Sequence, residues 1–151
     1  MWVEMLRFTL PGDPRGKGRP RFKRFPHGKG RTYTDADTRH FEDWIAAAAM
    51  DVWDEGPIDR TIPLRISVLA TFKRPANRYR VKDQNVVLKT SKPDLDNIVK
   101  SAQDGLERAG IIADQQIVAI AAQKEWAEIC DRKSKTCGPS SLCVAIQAWI
   151  P

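Results

Sequence analysis

The chain has 151 residues, 42% of them hydrophobic and 29% charged, with a net charge of +6. That length suits one domain with its own core, and the composition excludes a disordered or fibrous protein. No run approaches the ~18 consecutive apolar residues of a membrane span, and the start Met-Trp-Val-Glu-Met-Leu-Arg lacks the basic-then-apolar pattern of a secretory leader, so a cytoplasmic protein is expected.

Residues Trp2 to Leu10, before the Pro11-Gly12 turn signal, suit a first strand. From about 12 to 32 the chain is rich in Gly, Pro and basic residues, which predicts an extended, partly mobile loop. Arg15, Lys17, Arg19, Arg21, Lys23, Arg24, Lys29 and Arg31 stand there against Asp13 alone, so this arm carries +7 and the rest of the chain −1. Charge concentrated this way is a footprint for a polyanion, nucleic acid first, with a solubility tail as the bland alternative. The basic residues recur at every second position from 15 to 23, which an extended backbone would display on one side. Phe22 and Phe25 are interleaved with them, and Phe25 and Tyr33 are candidates for stacking on bases, with core packing as the alternative.

Thr34 and Asp35 can cap a helix running to about Trp53, with Phe41, Ile45, Ala48, Ala49 and Met50 or Trp53 at helical spacing. Gly56-Pro57 ends it. Leu64, Ile66, Val68, Ala70 and Phe72 then alternate with Arg65, Ser67, Leu69, Thr71 and Lys73, the clearest strand in the chain. Residues 74–91 read as a ligand-dependent flexible loop. A second helix is expected from about Asp94 to Ala109, with Leu95, Ile98, Val99, Ala102 and Leu106 on one stripe and Gly110 as its stop. Two strands, Ile117 to Trp126 and Ser141 to Trp149, are expected to pair as a hairpin across the polar stretch 131–140. The order predicts a single α+β domain over 1–151, with two main helices on one face of a small mixed or antiparallel sheet. Cys130, Cys137 and Cys143 have neither the spacing of a zinc site nor an even count, so they read as incidental thiols. His27 and His40 lie away from the acidic residues and receive no role.

The chemistry concentrates at Lys92-Pro93-Asp94-Leu95-Asp96-Asn97, where two carboxylates and an amide stand at a helix start. Oxygen donors of this kind suit Mg²⁺ or Mn²⁺, and a helix N-terminus favours negative charge. Lys100 and Asp104 follow Asp96 at four-residue steps on the same helix face. The bland reading of that stripe is a pair of solvated ion pairs. Asp114 stands at the mouth of the next strand, and reaches the helix only if the sheet lays that strand alongside it.

The run Asp94-Leu95-Asp96-Asn97, Lys100, Asp104-Gly105-Leu106, Ala109-Gly110 and Asp114-x-Gln116-Ile117 resembles the RusA family of Holliday-junction resolvases, common in phages and prophages. Leu10-Pro11-Gly12, Lys17-Gly18-Arg19-Pro20-Arg21, Arg31-Thr32-Tyr33 and Phe41-Glu42 extend the likeness over most of the chain. The resemblance implies a homodimeric, Mg²⁺-dependent endodeoxyribonuclease of DNA recombination and repair that nicks opposing strands of branched DNA, with no small-molecule cofactor. By position, Asp94, Asp96 and Asp114 match the family's catalytic, metal-binding aspartates and Lys100 its essential lysine, with Asn97 and Asp104 as supporting residues. The family usually shows two adjacent aspartates before x-Gln-Ile, whereas this chain has Ala113-Asp114. Two other readings stay open. One is a non-catalytic binder of branched or single-stranded DNA; the other is a metal-dependent enzyme acting on nucleotides or RNA, disfavoured by the absence of a phosphate-binding glycine loop.

Overall fold

The computed structural model describes residues 1–18, 21–24, 28, 30–80, 82 and 87–151, with the backbone alone described at Arg21, Lys23 and Arg24. Strands β1 (Trp2–Pro11), β4 (Leu64–Phe72), β5 (Val87–Leu88), β6 (Ile117–Trp126) and β9 (Ser141–Trp149) form one mixed sheet in the order β1-β9-β4-β6-β5. Helices α1 (Ala36–Val52) and α2 (Leu95–Arg108) pack against each other, and a one-turn 3₁₀ segment at Asp114–Gln116 leads into β6. The expected α+β class with a mixed sheet is what is found.

Alternation in β4 decides the layering. Leu64, Ile66, Val68, Ala70 and Phe72 are all buried, in one core with Leu6 and Phe8 of β1, Val144 and Ile146 of β9, Phe41 and Ile45 of α1, and Ile98 and Leu106 of α2. Both helices therefore cover the same sheet face. The residues between, Arg65 and Ser67 of β4 opposite Gln147 and Ala145 of β9, form the other face, where Arg65 Nε donates to Gln147 Oε1 at 2.5 Å. On α1 the inward stripe includes Thr38, Glu42 and Ala46, while Met50 points outward at 59% exposure.

Strands β6 and β9 do not form the expected hairpin. Both border β4, with β6 parallel on one side and β9 antiparallel on the other. Alternation specifies the face a strand buries but not its neighbour, and β4, with its buried face complete along its length, takes a partner on each edge. The connection instead folds its own two-stranded ribbon, β7 (Ile129–Asp131) with β8 (Thr136–Cys137). Asp131 organises that turn by accepting hydrogen bonds from the Lys133 and Ser134 amides.

Because β4 and β6 are parallel, the chain must cross over between them, and α2 makes the return. This places the start of α2 near the end of β6, and the end of α2 near the start of β6. Two expected loops are more ordered than the sequence suggested. The basic arm contains an antiparallel ribbon, β2 (Arg21–Arg24) with β3 (Gly30–Tyr33), and the segment after β4 buries Arg74 and Tyr79. Arg74 Nε donates to Ala127 O at 2.6 Å, an attachment no local pattern announces. Among the described residues, no helix is long and apolar enough to cross a membrane.

Candidate active site

Pro93 and the turn before it deliver Asp94 as the N-cap of α2, where its carbonyl accepts the Ile98 amide at 3.2 Å. Its carboxylate makes no capping bond. Asp96, in the first turn, is likewise exposed, and among the described residues neither side chain has a hydrogen bond or ion pair. Among the described residues, both carboxylates are thus left free for a ligand from solution.

One turn further, the Lys100 ammonium lies 3.2 Å from Asp114 Oδ2 and 3.4 Å from Asp104 Oδ1. Burial acts to lower the Lys100 pKa, but the hydrogen bonds and charges of Asp114 and Asp104 together outweigh it and the net shift is upward. Lys100 is therefore held as a cation with a fixed direction. Asp104 is no surface ion-pair partner: its side chain is 16% exposed, and it holds Lys17 as well as Lys100.

Lys17 is thus turned inward, unlike the outward phosphate contact expected of the arm. The reason is local. The Lys17 amide donates to Asn97 O at 2.9 Å and the Gly18 amide to Thr38 Oγ1 at 3.2 Å, so the arm is laced across the starts of both helices. Gly16 permits this, because a Cβ there would meet Asn97 Cβ at 3.0 Å and Pro93 Cβ at 3.2 Å. The anchor point of the arm on α2 is the backbone carbonyl of Asn97. Of the other basic residues, Arg15 is exposed and pairs with Asp37 at 3.5 Å, and Arg31 is exposed on β3. Arg21, Lys23 and Arg24 lie along β2. Arg19, Phe25, His27 and Lys29 fall outside the described residues. Phe22 (65% exposed) and Tyr33 (43%) stand on the arm's ribbon, open to solvent.

Asp114 is presented by a turn that Gln116 fixes. The buried Gln116 accepts the Ala113 amide at 2.8 Å through Oε1 and donates through Nε2 to Asp59 O at 2.8 Å. The turn is thereby stitched both to itself and to the segment before β4. Asp114 reaches Lys100, in the middle of α2, rather than Asp94 at its start. Among the described residues, no three His, Cys, Asp or Glu side chains stand close enough together to hold an ion. The donor chemistry nonetheless fits Mg²⁺, which binds through one or two carboxylates and completes its shell with waters and substrate phosphate. An open groove lined by Leu95, Asp96, Val99, Lys100, Gln103 and Ile120 runs beside these groups.

Sequence reasoning missed Glu42. Its Oε1 is buried without a hydrogen-bond partner among the described residues, close enough to Asp104 and Lys17 to feel both charges. Its pKa is raised, by burial first and then by Asp104, against opposing Lys17 and Arg108. A folded-state carboxyl pKa above its unfolded value penalises the fold above that range, and the penalty vanishes as pH falls below the unfolded value. Glu42→Gln should therefore raise the melting temperature at pH 8 relative to wild type, with the gain shrinking toward pH 4. A gain independent of pH would show that the charge is not the cause.

Two comparisons with known proteins bear on the site. The family model described as endodeoxyribonuclease RusA matches residues 11–132, a span containing both ribbon strands of the basic arm, α2 and Asp114. The chain is also similar to the uncharacterized protein YqaN of Bacillus subtilis (strain 168), at 25% identity over 130 residues covering 83% of this chain and 91% of that protein.

Proposed function

Because the chain belongs to the RusA endodeoxyribonuclease family, we propose that it is a Mg²⁺-dependent, structure-selective nuclease that resolves four-way DNA junctions by paired nicks, in recombination and repair. The observation that carries this reading is the placement of one oriented ammonium, Lys100, one helical turn from Asp96 and within two turns of Asp94, two carboxylates without partners among the described residues. Asp94 and Asp96 would hold the ion, with Mn²⁺ as a substitute, and Asp114, engaged by Lys100, would join them only by moving. When bound, it supplies a more acidic water and neutralises charge on the scissile phosphate. Lys100, kept protonated by Asp104 and Asp114, donates to the phosphoryl oxygen on which negative charge grows.

The basic arm supplies the sequence-independent part of the affinity. Arg15 and Arg31 are exposed for phosphates, joined in this proposal by Arg19, Arg21, Lys23, Arg24 and Lys29. A four-way junction has approximate two-fold symmetry, so two matched nicks call for two sites related by the same axis, hence a homodimer. The protein would work in the cytoplasm, where such DNA occurs in a bacterial or phage-infected cell.

One observation favours a second reading, a junction-binding protein without cleavage. Asp114 is engaged by Lys100, and Ala113 stands where the family usually carries a further acid. Incubating the purified protein with a synthetic four-way junction and a matched linear duplex, with Mg²⁺ or with EDTA, separates the two. Paired nicks confined to the junction and to the Mg²⁺ samples are expected. Tight junction binding without nicks at any Mg²⁺ or Mn²⁺ concentration would establish the binding protein instead.

A further inference from the structure

Two lysines converge on the short segment that precedes Asp94. Lys89 follows β5 and is 5% exposed, with its ammonium 4.9 Å from the ring centres of both Phe72 and Trp126. It donates to Ser91 O at 2.9 Å, to Ser91 Oγ at 2.7 Å and to Lys92 O. Lys124, on β6, donates to Ser91 O at 2.8 Å and to Pro93 O at 2.7 Å. Three consecutive main-chain carbonyls, those of Ser91, Lys92 and Pro93, are therefore turned toward two ammonium groups. The next residue is Asp94.

Carbonyls of one short segment cannot satisfy one another, and a cation is the group that draws three of them to one side. Both cations come from the sheet. Lys89 is tied there by its own amide, which donates to Lys124 O at 3.0 Å. The cost of burying the Lys89 ammonium is offset by its three hydrogen bonds and by the faces of the two rings. What the lysines provide is direction: they fix the backbone on the sheet side while Gly16 of the basic arm packs on Pro93 from the other.

We propose that Lys89 and Lys124 are positioning residues of the nuclease site, clamping the Ser91–Pro93 backbone so that the Asp94 carboxylate leaves the chain at a fixed point and in a fixed direction. The clamp rests on the reading of Asp94 as an ion-holding residue. Neither lysine touches DNA or ion; each acts through the backbone, as a supporting partner orients a ligand.

The test uses the full-length chain with Lys124→Met, Lys124→Arg and Lys89→Met. Mn²⁺ binding is titrated by electron paramagnetic resonance without DNA, amide hydrogen exchange is followed over residues 94–98, and junction nicking is resolved into kcat and KM. Lys124→Met should weaken Mn²⁺ binding by about 10-fold or more, the range for loss of a supporting partner. It should also speed exchange at 94–98 and lower kcat at unchanged KM, while Lys124→Arg restores most of each. Lys124 is half-buried and carries the result if Lys89→Met does not fold. A lower melting temperature with wild-type Mn²⁺ affinity and exchange would overturn the clamp, as would a wild-type chain that binds no Mn²⁺. If the wild type binds Mn²⁺ but never nicks, the nuclease reading falls, and weakened Mn²⁺ binding in Lys124→Met still supports the clamp.

Discussion

Asp96→Asn should leave junction binding intact and reduce Mg²⁺-dependent nicking well beyond the about 100-fold that loss of a supporting partner brings. The substitution keeps the shape of the side chain and removes one negative oxygen. Asparagine is tolerated in a first helical turn, and Asp96 has no partner among the described residues to lose, so the melting temperature should stay within about 2 °C of wild type. Removing a negative charge from a surface that faces phosphates should, if anything, tighten binding. Activity and stability therefore separate cleanly at this position. They should not separate at Asp104, whose carboxylate is 16% exposed and holds both Lys17 and Lys100. If Asp96→Asn nicks junctions within tenfold of the wild-type rate, Asp96 holds no catalytic ion and the proposed chemistry is wrong.

The contrast between Asp96 and Asp104 shows how far the sequence could be read. Asp96 and Asp94 follow from local pattern, because a proline, a capping acid and an apolar stripe at helical spacing locate the start of α2 without knowledge of the rest of the fold. Ile98, Val99, Ala102 and Leu106 are buried as that stripe requires. The strand β4 was legible for the same reason at period two. What the pattern could not supply was adjacency. The partners of β6 and β9 depend on which strand occupies the middle of the sheet, and no property of residues 117–126 or 141–149 alone encodes that β4 lies between them.

The inward course of Lys17 was hidden differently. Alternate basic residues promise a common face only if the backbone stays extended and free, whereas Gly16 and Gly18 let this backbone press onto Asn97 and Thr38. A lysine bracketed by glycines was the available signal. For Lys89 and Lys124 there was none, since Lys124 reaches a segment 33 residues earlier in the chain. Contacts of that kind come from topology, and the parallel crossover through α2 is what brings the end of β6 to the segment before Asp94.

Gly105→Ala should destabilise the protein even though alanine is the better helix former. Glycine in the middle of α2 costs about 1 kcal/mol of helix propensity relative to alanine, so an unconstrained site would gain from the change. Here a Cβ would stand 2.5 Å from Ile45 Cγ2, 2.6 Å from Ile45 Cβ and 3.1 Å from Glu42 O. The first two contacts are closer than carbon atoms pack, and the residue that must yield is poorly placed to do so. Ile45 is fully buried, and a β-branched side chain in a helix has essentially one rotamer. The helices must therefore move apart, and overpacking of this kind costs about 1–3 kcal/mol or more. Contacts this short belong at the upper end of that range, so after the propensity gain a net loss of about 2 kcal/mol remains, or roughly 4–8 °C in melting temperature for a chain of this size. Ile45→Ala removes the clashing Cγ2, so combined with Gly105→Ala it should cost less than the sum of the two single changes, because they share one contact and are not additive. The same displacement reaches the chemistry. Glu42 and Asp104 flank this contact, so spreading α1 from α2 should loosen the hold of Asp104 on Lys100 and lower nicking along with stability. A Gly105→Ala protein that melts at or above the wild-type temperature would mean that the two helices are not in close contact here, and that Asp104 and Lys17 are not held by their packing.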